Sequence, residues 1–489
     1  MSDDQRFRLL EKSAPLNFSE TLLQTDLSVH RMAAEGLAEL PLSPPSSPSA
    51  TDDRQRLLVC HDMRGNYLAD AYTRGYRFEN AFQITDWSCI DIFCYFSHNL
   101  ISLPPTQWIQ VCHRHQVQVM GAFLTEWEAG SEICKELFRD EETVFQLSNY
   151  LVQLAEIYKL DGWLINVENP LDPSVEVPLM KLFLNSLSHE MHCMNPHSRV
   201  IWYDAVTVDG RLRWQNKVNR QNKEFFDCCD GIFVNYGWTA DTPIVSSLFA
   251  GIERRRDIYF GIDVWGRGTY GGGKHSCDVA LKVLRRHGVS AALFAPGYFL
   301  ECEVDAERDP LLVQCELNSK YAVFWKQVRG AWRIEKEVES PPFCIDFSQA
   351  AGEAVFVQGK RFRHWAVAED SNSWFYDLSL QHLNYTLPDA TSNSLHPIKC
   401  NIAYDRAFEG TSSLLISATC PSKSKQFLPL KPCTLSYNDT ITIYCVVEKA
   451  ELQCALGIFI ETTSGKVLTF KSSVENCIQN WEVGMIKSG

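Results

Sequence analysis

A chain of 489 residues, 45% hydrophobic and 22% charged, is long enough for two or three domains and can bury a large core. Its formal net charge of −14 argues against nucleic acid or an anionic membrane as the main partner. The 18 cysteines are scattered without a single C-x-x-C, which excludes the usual zinc and redox spacings and fits reduced, buried thiols in the cytosol.

The opening residues, MSDDQRFRLLEK, are charged and lack an apolar h-region, so no secretory signal is expected. No apolar run reaches the ~18 residues that span a bilayer. The N-x-S/T triplets at Asn17, Asn384 and Asn438 then stay unmodified, because a cytosolic chain never meets that machinery. Residues 1–55 end in LPLSPPSSPSATDD, a Pro/Ser-rich stretch read as a flexible leader.

From residue 56 short apolar, β-rich runs recur with a regular rhythm. They are RLLVCHDM (56–63), IDIFCYFSH (90–98), QVQVMGAFLTEW (116–127), DGWLINVEN (161–169), RVIWYDAV (199–206), GIFVNYGW (231–238), IYFGIDVWGR (258–267) and AALFAPGYF (291–299). Helical patterns lie between or after them at 142–159, 177–192, 243–256, 277–288 and 310–328. Eight continuously apolar strands alternating with crossovers predict a (β/α)8 TIM barrel over 56–335, its strands covered on both faces. Beyond about residue 340 the long helices give way to short strand-like runs divided by turn signals, an α/β chain thus ending in a jelly-roll-like β-sandwich over 340–489. The chain stops at EVGMIKSG soon after a strand, as an incomplete sandwich would.

In DGWLINVEN, Asn166 and Glu168 stand two positions apart on an otherwise apolar strand, so both aim at one face. Their Cα atoms are expected roughly 6.5 Å apart, from a rise of about 3.3 Å per residue. That leaves room for one sugar ring, with an acid at its leaving oxygen and an amide at its 2-substituent. Aromatic surroundings would desolvate Glu168 and keep it protonated near neutrality. An amide cannot attack an anomeric carbon, but it can hold an acetamide whose own carbonyl oxygen attacks. The plainer reading of Asn166 is an amide satisfying backbone groups at a strand end. Tyr203 is a candidate hydroxyl donor to the forming oxazolinium, or a core tyrosine with its hydroxyl at the rim. Trp238 and Trp265 are candidate sugar platforms. Asp204 and Asp263 are rival second carboxylates, equally well explained as hydrogen-bonded anchors. Asn166, Glu168, Tyr203, Asp204, Trp238, Asp263, Trp265 and Tyr298 all fall near the C-terminal ends of their strands, the face where such barrels do chemistry. Asp263 and Asn235 complete the expected substrate-binding set. The glycines of GIDVWGRGTYGGG (261–273) match no phosphate-loop pattern and read as a mobile loop, and no histidine spacing suggests a metal or cofactor.

These segments, taken in order over about 56–330, resemble glycoside hydrolase family 85, the cytosolic endo-β-N-acetylglucosaminidases. LLVCHDMRGNYL, DIFCYFSH, HRHQVQVMGAFLTEW, DGWLINVEN, IWYDAV, FFDCCDGIFVNYGW, YFGIDVWGRG and ALFAPGYFLE carry the likeness. The resemblance implies cytosolic cleavage of the bond between the two core N-acetylglucosamines of N-glycans or glycoproteins, with retention and with transfer to other sugar acceptors. It assigns Glu168 as acid/base, Asn166 as the residue orienting the 2-acetamido group, Tyr203 as the hydroxyl near the oxazolinium and Trp238 as an acceptor-side aromatic. Trp265 and Tyr298 follow as further sugar contacts. The C-terminal region is shorter than in the animal proteins it resembles. Two rivals stand: a chitinase-like barrel, whose DGxDxDxE motif would need Asn166 and Leu164 to be aspartates, and a barrel lectin that binds glycans without cutting them.

Overall fold

In the computed structural model, residues 15–16, 27–34, 54–62, 67, 69–71, 76–77, 82–305, 310–332, 347–362, 375–381, 399–417, 442–448, 457–461, 467–471, 473–478 and 481–487 are described. The chain divides into two units, Met1–Glu335 and Lys336–Gly489.

The first unit is the expected barrel. Its parallel strands are β1 (Leu57–Asp62), β2 (Ile92–Phe96), β3 (Gln118–Glu126), β4 (Gly162–Glu168), β5 (Arg199–Tyr203), β6 (Gly231–Val234), β7 (Ile258–Asp263) and β8 (Ser290–Phe294). Each pairs in parallel with the next, and β8 closes on β1 through Leu57↔Ala291 to Cys60↔Phe294. The strands are buried along almost their whole length, which is why their text is apolar without alternation. A short strand, Ile101–Ser102, adds an antiparallel flank to β3. At Gly121 of β3 a Cβ would stand 2.6 Å from the Trp163 ring, so the missing side chain makes room for that fully buried indole.

The long helices Glu141–Tyr158, Glu176–Met194, Cys277–His287 and Pro310–Trp332 match the predicted crossovers. Asp140 caps the first by accepting the Thr143 N–H at 2.8 Å. Elsewhere the structure corrects the sequence reading. The segment 243–256 breaks at Gly251, whose φ of 90° ends the helix Thr242–Ala250 and starts a 3-10 turn, Ile252–Asp257. Thr106–Arg114 and Trp127–Leu137 are helices that no expectation covered. The eighth run stops as a strand at Phe294, and Tyr298 opens a short helix, Tyr298–Cys302, in which Cys302 is exposed. Two pieces of the expected leader are packed against the barrel. Leu16 bridges Ile101, and His30 in the helix Ser28–Ala33 meets the Tyr158 hydroxyl at 3.0 Å. The Pro/Ser-rich stretch and Asn17, Asn384 and Asn438 lie outside the described residues.

His61 on β1 is fully buried against Phe82, Phe93 and Trp108, and burial lowers its pKa from 6.5 to about 3. A histidine kept neutral in the fold stabilises it fully above its unfolded pKa, and this contribution drains away as pH falls from 6.5 towards 3. We expect His61→Phe to lessen the acid loss: unfolding free energies from urea titrations at about pH 7.5 and about pH 5, which His61 should separate by about 2 kcal/mol in the unaltered protein, should converge.

The second unit is antiparallel. Gln349–Gly352 pairs with Phe375–Gln381, Val355–Val357 with Lys360–Phe362 and Glu409–Gly410, and Lys399–Ala403 with Ser413–Ser417. Trp481–Lys487 runs between Thr442–Glu448 and Ser473–Ile478, and Gly457–Glu461 pairs with Val467–Lys471. Ala354, Phe356 and Ala407 form a small buried cluster here, and among the described residues no helix is long and apolar enough to cross a membrane.

Candidate active site

The end of β4 carries the polar pair that the period-two pattern places on one face. Asn166 Nδ2 donates to Glu168 Oε1 at 2.9 Å. Asn166 is 2% exposed, and its Oδ1 is buried without a hydrogen-bond partner. A buried acceptor left unpaired costs about 1–3 kcal/mol unless something donates to it, so this oxygen has capacity for a further N–H. Glu168 is partly open. Burial pushes its carboxyl above the usual carboxylate range, the Asn166 N–H opposes this, the nearby Glu126 charge adds to it and His98 subtracts. The next residue, Asn169, is buried and hydrogen-bonded to the Cys134 Sγ and the Pro170 carbonyl. Gly130 lets the helix Trp127–Leu137 approach it: a Cβ there would lie 2.7 Å from Asn169 Oδ1. That helix, unforeseen in the sequence, therefore braces the strand end holding Glu168.

Tyr203 ends β5 and its hydroxyl donates to Asn235 Oδ1 at 2.9 Å. Asn235 Nδ2 donates to Asn216 Oδ1 at 2.8 Å, and the Asn216 N–H donates to Asp204 Oδ2 at 2.7 Å. Asp204 also accepts from the Gln215 N–H at 3.2 Å and from Asn222 Nδ2 at 2.7 Å. Asn216 adopts φ 56°, a left-handed conformation that asparagine tolerates better than most residues. Burial pushes Asp204 up to about 7 despite these donors. Asp204 is thus an anchor that fixes the loop orienting Tyr203, and Asn235 reaches Tyr203 from the same network. Asp204→Asn turns an acceptor into a donor facing donors. It should cost about 1–3 kcal/mol in urea unfolding, as the loop that holds Tyr203 loses its anchor.

Three expectations need correcting or refining. Trp238 lies past the end of β6, 3% exposed. Its ring stacks on Tyr270 at 4.8 Å and 11°, and its Nε1 donates to the Gly261 carbonyl at 2.8 Å. It has no open face to offer a sugar and instead ties the loop after β6 to β7. Asp263 is 1% exposed, and both oxygens are occupied by the Trp265 N–H and by the Arg267 N–H and guanidinium, the closest at 2.8 Å. It holds its own glycine-rich loop rather than reaching outward. Trp265 and Tyr298 are brought together edge to face at 5.5 Å, with Arg267 and Lys274 over their respective rings.

Four residues were missed. Glu126 ends β3 as the register partner of Glu168, and His98 Nδ1 stands 3.0 Å from its Oε2. Both were legible, since TEW and FSH close apolar runs just as VEN does. Trp214, 39% exposed, stands near the Tyr203 hydroxyl on a loop between β5 and β6, where no periodicity points to it. Trp127 is 77% exposed and has φ 59°, unusual for an aromatic residue. Among the described residues, no group of three His, Cys, Asp or Glu side chains could hold a metal ion.

The family described as glycosyl hydrolase family 85 matches residues 66–355. Cytosolic endo-beta-N-acetylglucosaminidase 1 of Arabidopsis thaliana is 42% identical over 335 residues, covering 68% of this chain and 46% of that protein. The cytosolic endo-beta-N-acetylglucosaminidase of Mus musculus is 44% identical over 377 residues, covering 76% of this chain and 49% of its own length. The chain therefore spans about half the length of the curated relatives it matches. The crystal structure of the glycoside hydrolase domain of Endo-D from Streptococcus pneumoniae superposes with a TM-score of 0.62 at 18% identity, over 82% of this chain and 66% of that one, a likeness of fold.

Proposed function

Because the chain belongs to glycosyl hydrolase family 85, we propose that it cleaves the GlcNAc-β-1,4-GlcNAc core bond of N-glycans and free oligosaccharides, with retention and by way of the substrate's own acetamide. The observation that carries this reading is the Asn166–Glu168 hydrogen bond at the C-terminal mouth of the barrel, with the second polar atom of Asn166 buried and unpaired. That Oδ1 suits an acetamide N–H, which turns the acetamide carbonyl towards the anomeric carbon. Glu168, raised by burial, carries the proton that the departing oxygen needs. The acetamide oxygen attacks, the glycosidic bond breaks with proton transfer from Glu168, and an oxazolinium forms. Glu168, now a carboxylate, takes a proton from water or from a sugar hydroxyl that opens the ring, giving hydrolysis or transfer with overall retention. Tyr203, held by Asn235 and sensing the Glu168 charge, is the hydroxyl we assign to the forming oxazolinium.

The relatives' names place them in the cytosol, and we assign the same compartment here, in keeping with free cysteines among the described residues. Mass spectrometry of a defined N-glycopeptide tests the reading. The expected products are a peptide keeping one N-acetylglucosamine on its asparagine and a glycan shortened by that sugar. Binding without release would instead identify a lectin, and preferential cutting of chitin oligomers a chitinase-like enzyme.

A further inference from the structure

Glu126 closes β3 in register with Glu168 at the end of β4, so their Cα atoms lie roughly 4.8 Å apart across neighbouring strands. Two glutamates on neighbouring strand ends invite comparison with a conventional retaining site, in which one carboxyl is the nucleophile and the other the acid. The partner of Glu126 argues against that role. His98, in the turn after β2, places Nδ1 3.0 Å from Oε2 and 3.3 Å from Oε1, so the carboxylate is clasped from the strand opposite Glu168. The carboxylate is mostly buried and the imidazole half exposed, 18% and 54% respectively, which gives a fixed anion and a histidine within reach of solvent protons.

We propose that Glu126 and His98 are positioning residues for Glu168: the anion holds the neighbouring acid in its proton-carrying form, and the histidine limits how strongly it does so. This rests on the functional reading above and adds the device that sets its working pH range. The groups acting on Glu168 come from four sides. Glu126 on β3 and His98 after β2 bear on it directly, and Tyr203 on β5 and Tyr236 after β6 respond to its charge. Asp62 at the end of β1 acts on His98. Burial drives both tyrosines well above their ordinary value, so they stay neutral. Glu126 raises His98, chiefly through their hydrogen bond, and thereby keeps it cationic to higher pH. Like charge favours neutral Glu168, and the cation favours its ionised form.

The signs of two substitutions follow and are opposite. Activity that needs protonated Glu168 declines as pH rises through its titration. Glu126→Gln removes the anion yet can still accept from His98, and should move the alkaline limb of kcat/KM to lower pH. His98→Gln removes the cation and should move it higher. The ratio of kcat/KM at about pH 5.5 to that at about pH 7.5 should rise roughly threefold to tenfold for Glu126→Gln and fall for His98→Gln, since a tenfold change corresponds to one unit. Glu126→Asp, which keeps the charge, should restore the profile of the unaltered protein. In parallel, 13C NMR of glutamate-labelled full chain, with Glu168 assigned by its loss in Glu168→Gln, follows the carboxyl titration without any turnover. Midpoints moving down in one variant and up in the other support the inference, and do so even if the glycopeptide proves uncut, which would overturn only the functional reading. Unmoved midpoints, or a uniform loss of activity at every pH, would overturn the inference. Loss of glycan cleavage at all pH values in Glu126→Gln, with unmoved midpoints and a sugar oxazoline still hydrolysed, would overturn the inference and give Glu126 a direct part in the first chemical step instead.

Discussion

Replacing Glu168 by glutamine is expected to slow glycopeptide cleavage by about 10²–10⁴-fold, the usual worth of a positioned general acid and base. The glutamine carbonyl can still accept from Asn166 Nδ2, so the local hydrogen bond at 2.9 Å survives and the loss reports proton transfer rather than a collapsed strand end. The same variant should also process a preformed sugar oxazoline slowly, because the second half-reaction needs a carboxylate to take a proton from the incoming hydroxyl. Steady-state rates on the two substrates, with melting curves to show intact folding, check both statements. A variant that cleaves glycopeptide at the normal rate would remove Glu168 from the chemistry altogether.

Much of the barrel was legible because its strands obey a single physical demand. A parallel strand covered on both faces must be apolar throughout, so each of the eight runs announced itself by hydrophobicity alone. Where a strand stops is a different matter. DVWGR and APGYF continue in apolar and aromatic residues after the ladder has ended at Asp263 and Phe294, and nothing in their composition distinguishes a rim loop from a strand. The helix Trp127–Leu137 was hidden for a related reason: it follows β3 with no intervening loop, Glu126 serving as its first flanking residue and Trp127 turning through a positive φ.

The site divides along the same line. Asn166 and Glu168 were readable because they sit on one strand, where spacing fixes direction. The surroundings of Trp238 and Asp263 were not, since Tyr270 and Arg267 reach them from a loop whose path follows from glycine conformations such as φ 83° at Gly266 and 66° at Gly273. Strand-end position alone cannot separate an aromatic that faces a ligand from one stacked beneath a loop. Glu126 shows the converse. It satisfied the same criteria as Glu168, but pairing a residue on one strand with its neighbour on the next requires the register, which only the fold supplies.

Asn166→Ala separates substrate-assisted chemistry from every mechanism with an enzyme nucleophile. The amide neither gives nor takes the transferred proton; what it chiefly supplies is the direction in which a neighbouring acetamide points. Pre-orienting an intramolecular nucleophile can be worth several powers of ten, but the acetamide remains attached to the substrate even when unheld. The loss on intact glycopeptide should therefore be large, on the order of 10²–10³-fold, comparable with removing one preorganised hydrogen-bond donor from a reaction centre. A sugar oxazoline has already made the bond that Asn166 helps to form. Its turnover should fall far less, by about tenfold at most, so the quotient of the two rates becomes the diagnostic quantity. Loss of the Asn166 N–H also removes a partner that stabilises the Glu168 carboxylate, so Glu168 should titrate higher and the alkaline limb of the remaining activity should extend to higher pH. Equal losses on glycopeptide and oxazoline would mean that Asn166 holds the sugar generally rather than aiming its acetamide. A quotient that changes while the pH limb stays fixed would leave the orienting role intact and show that the 2.9 Å hydrogen bond does not tune the acid.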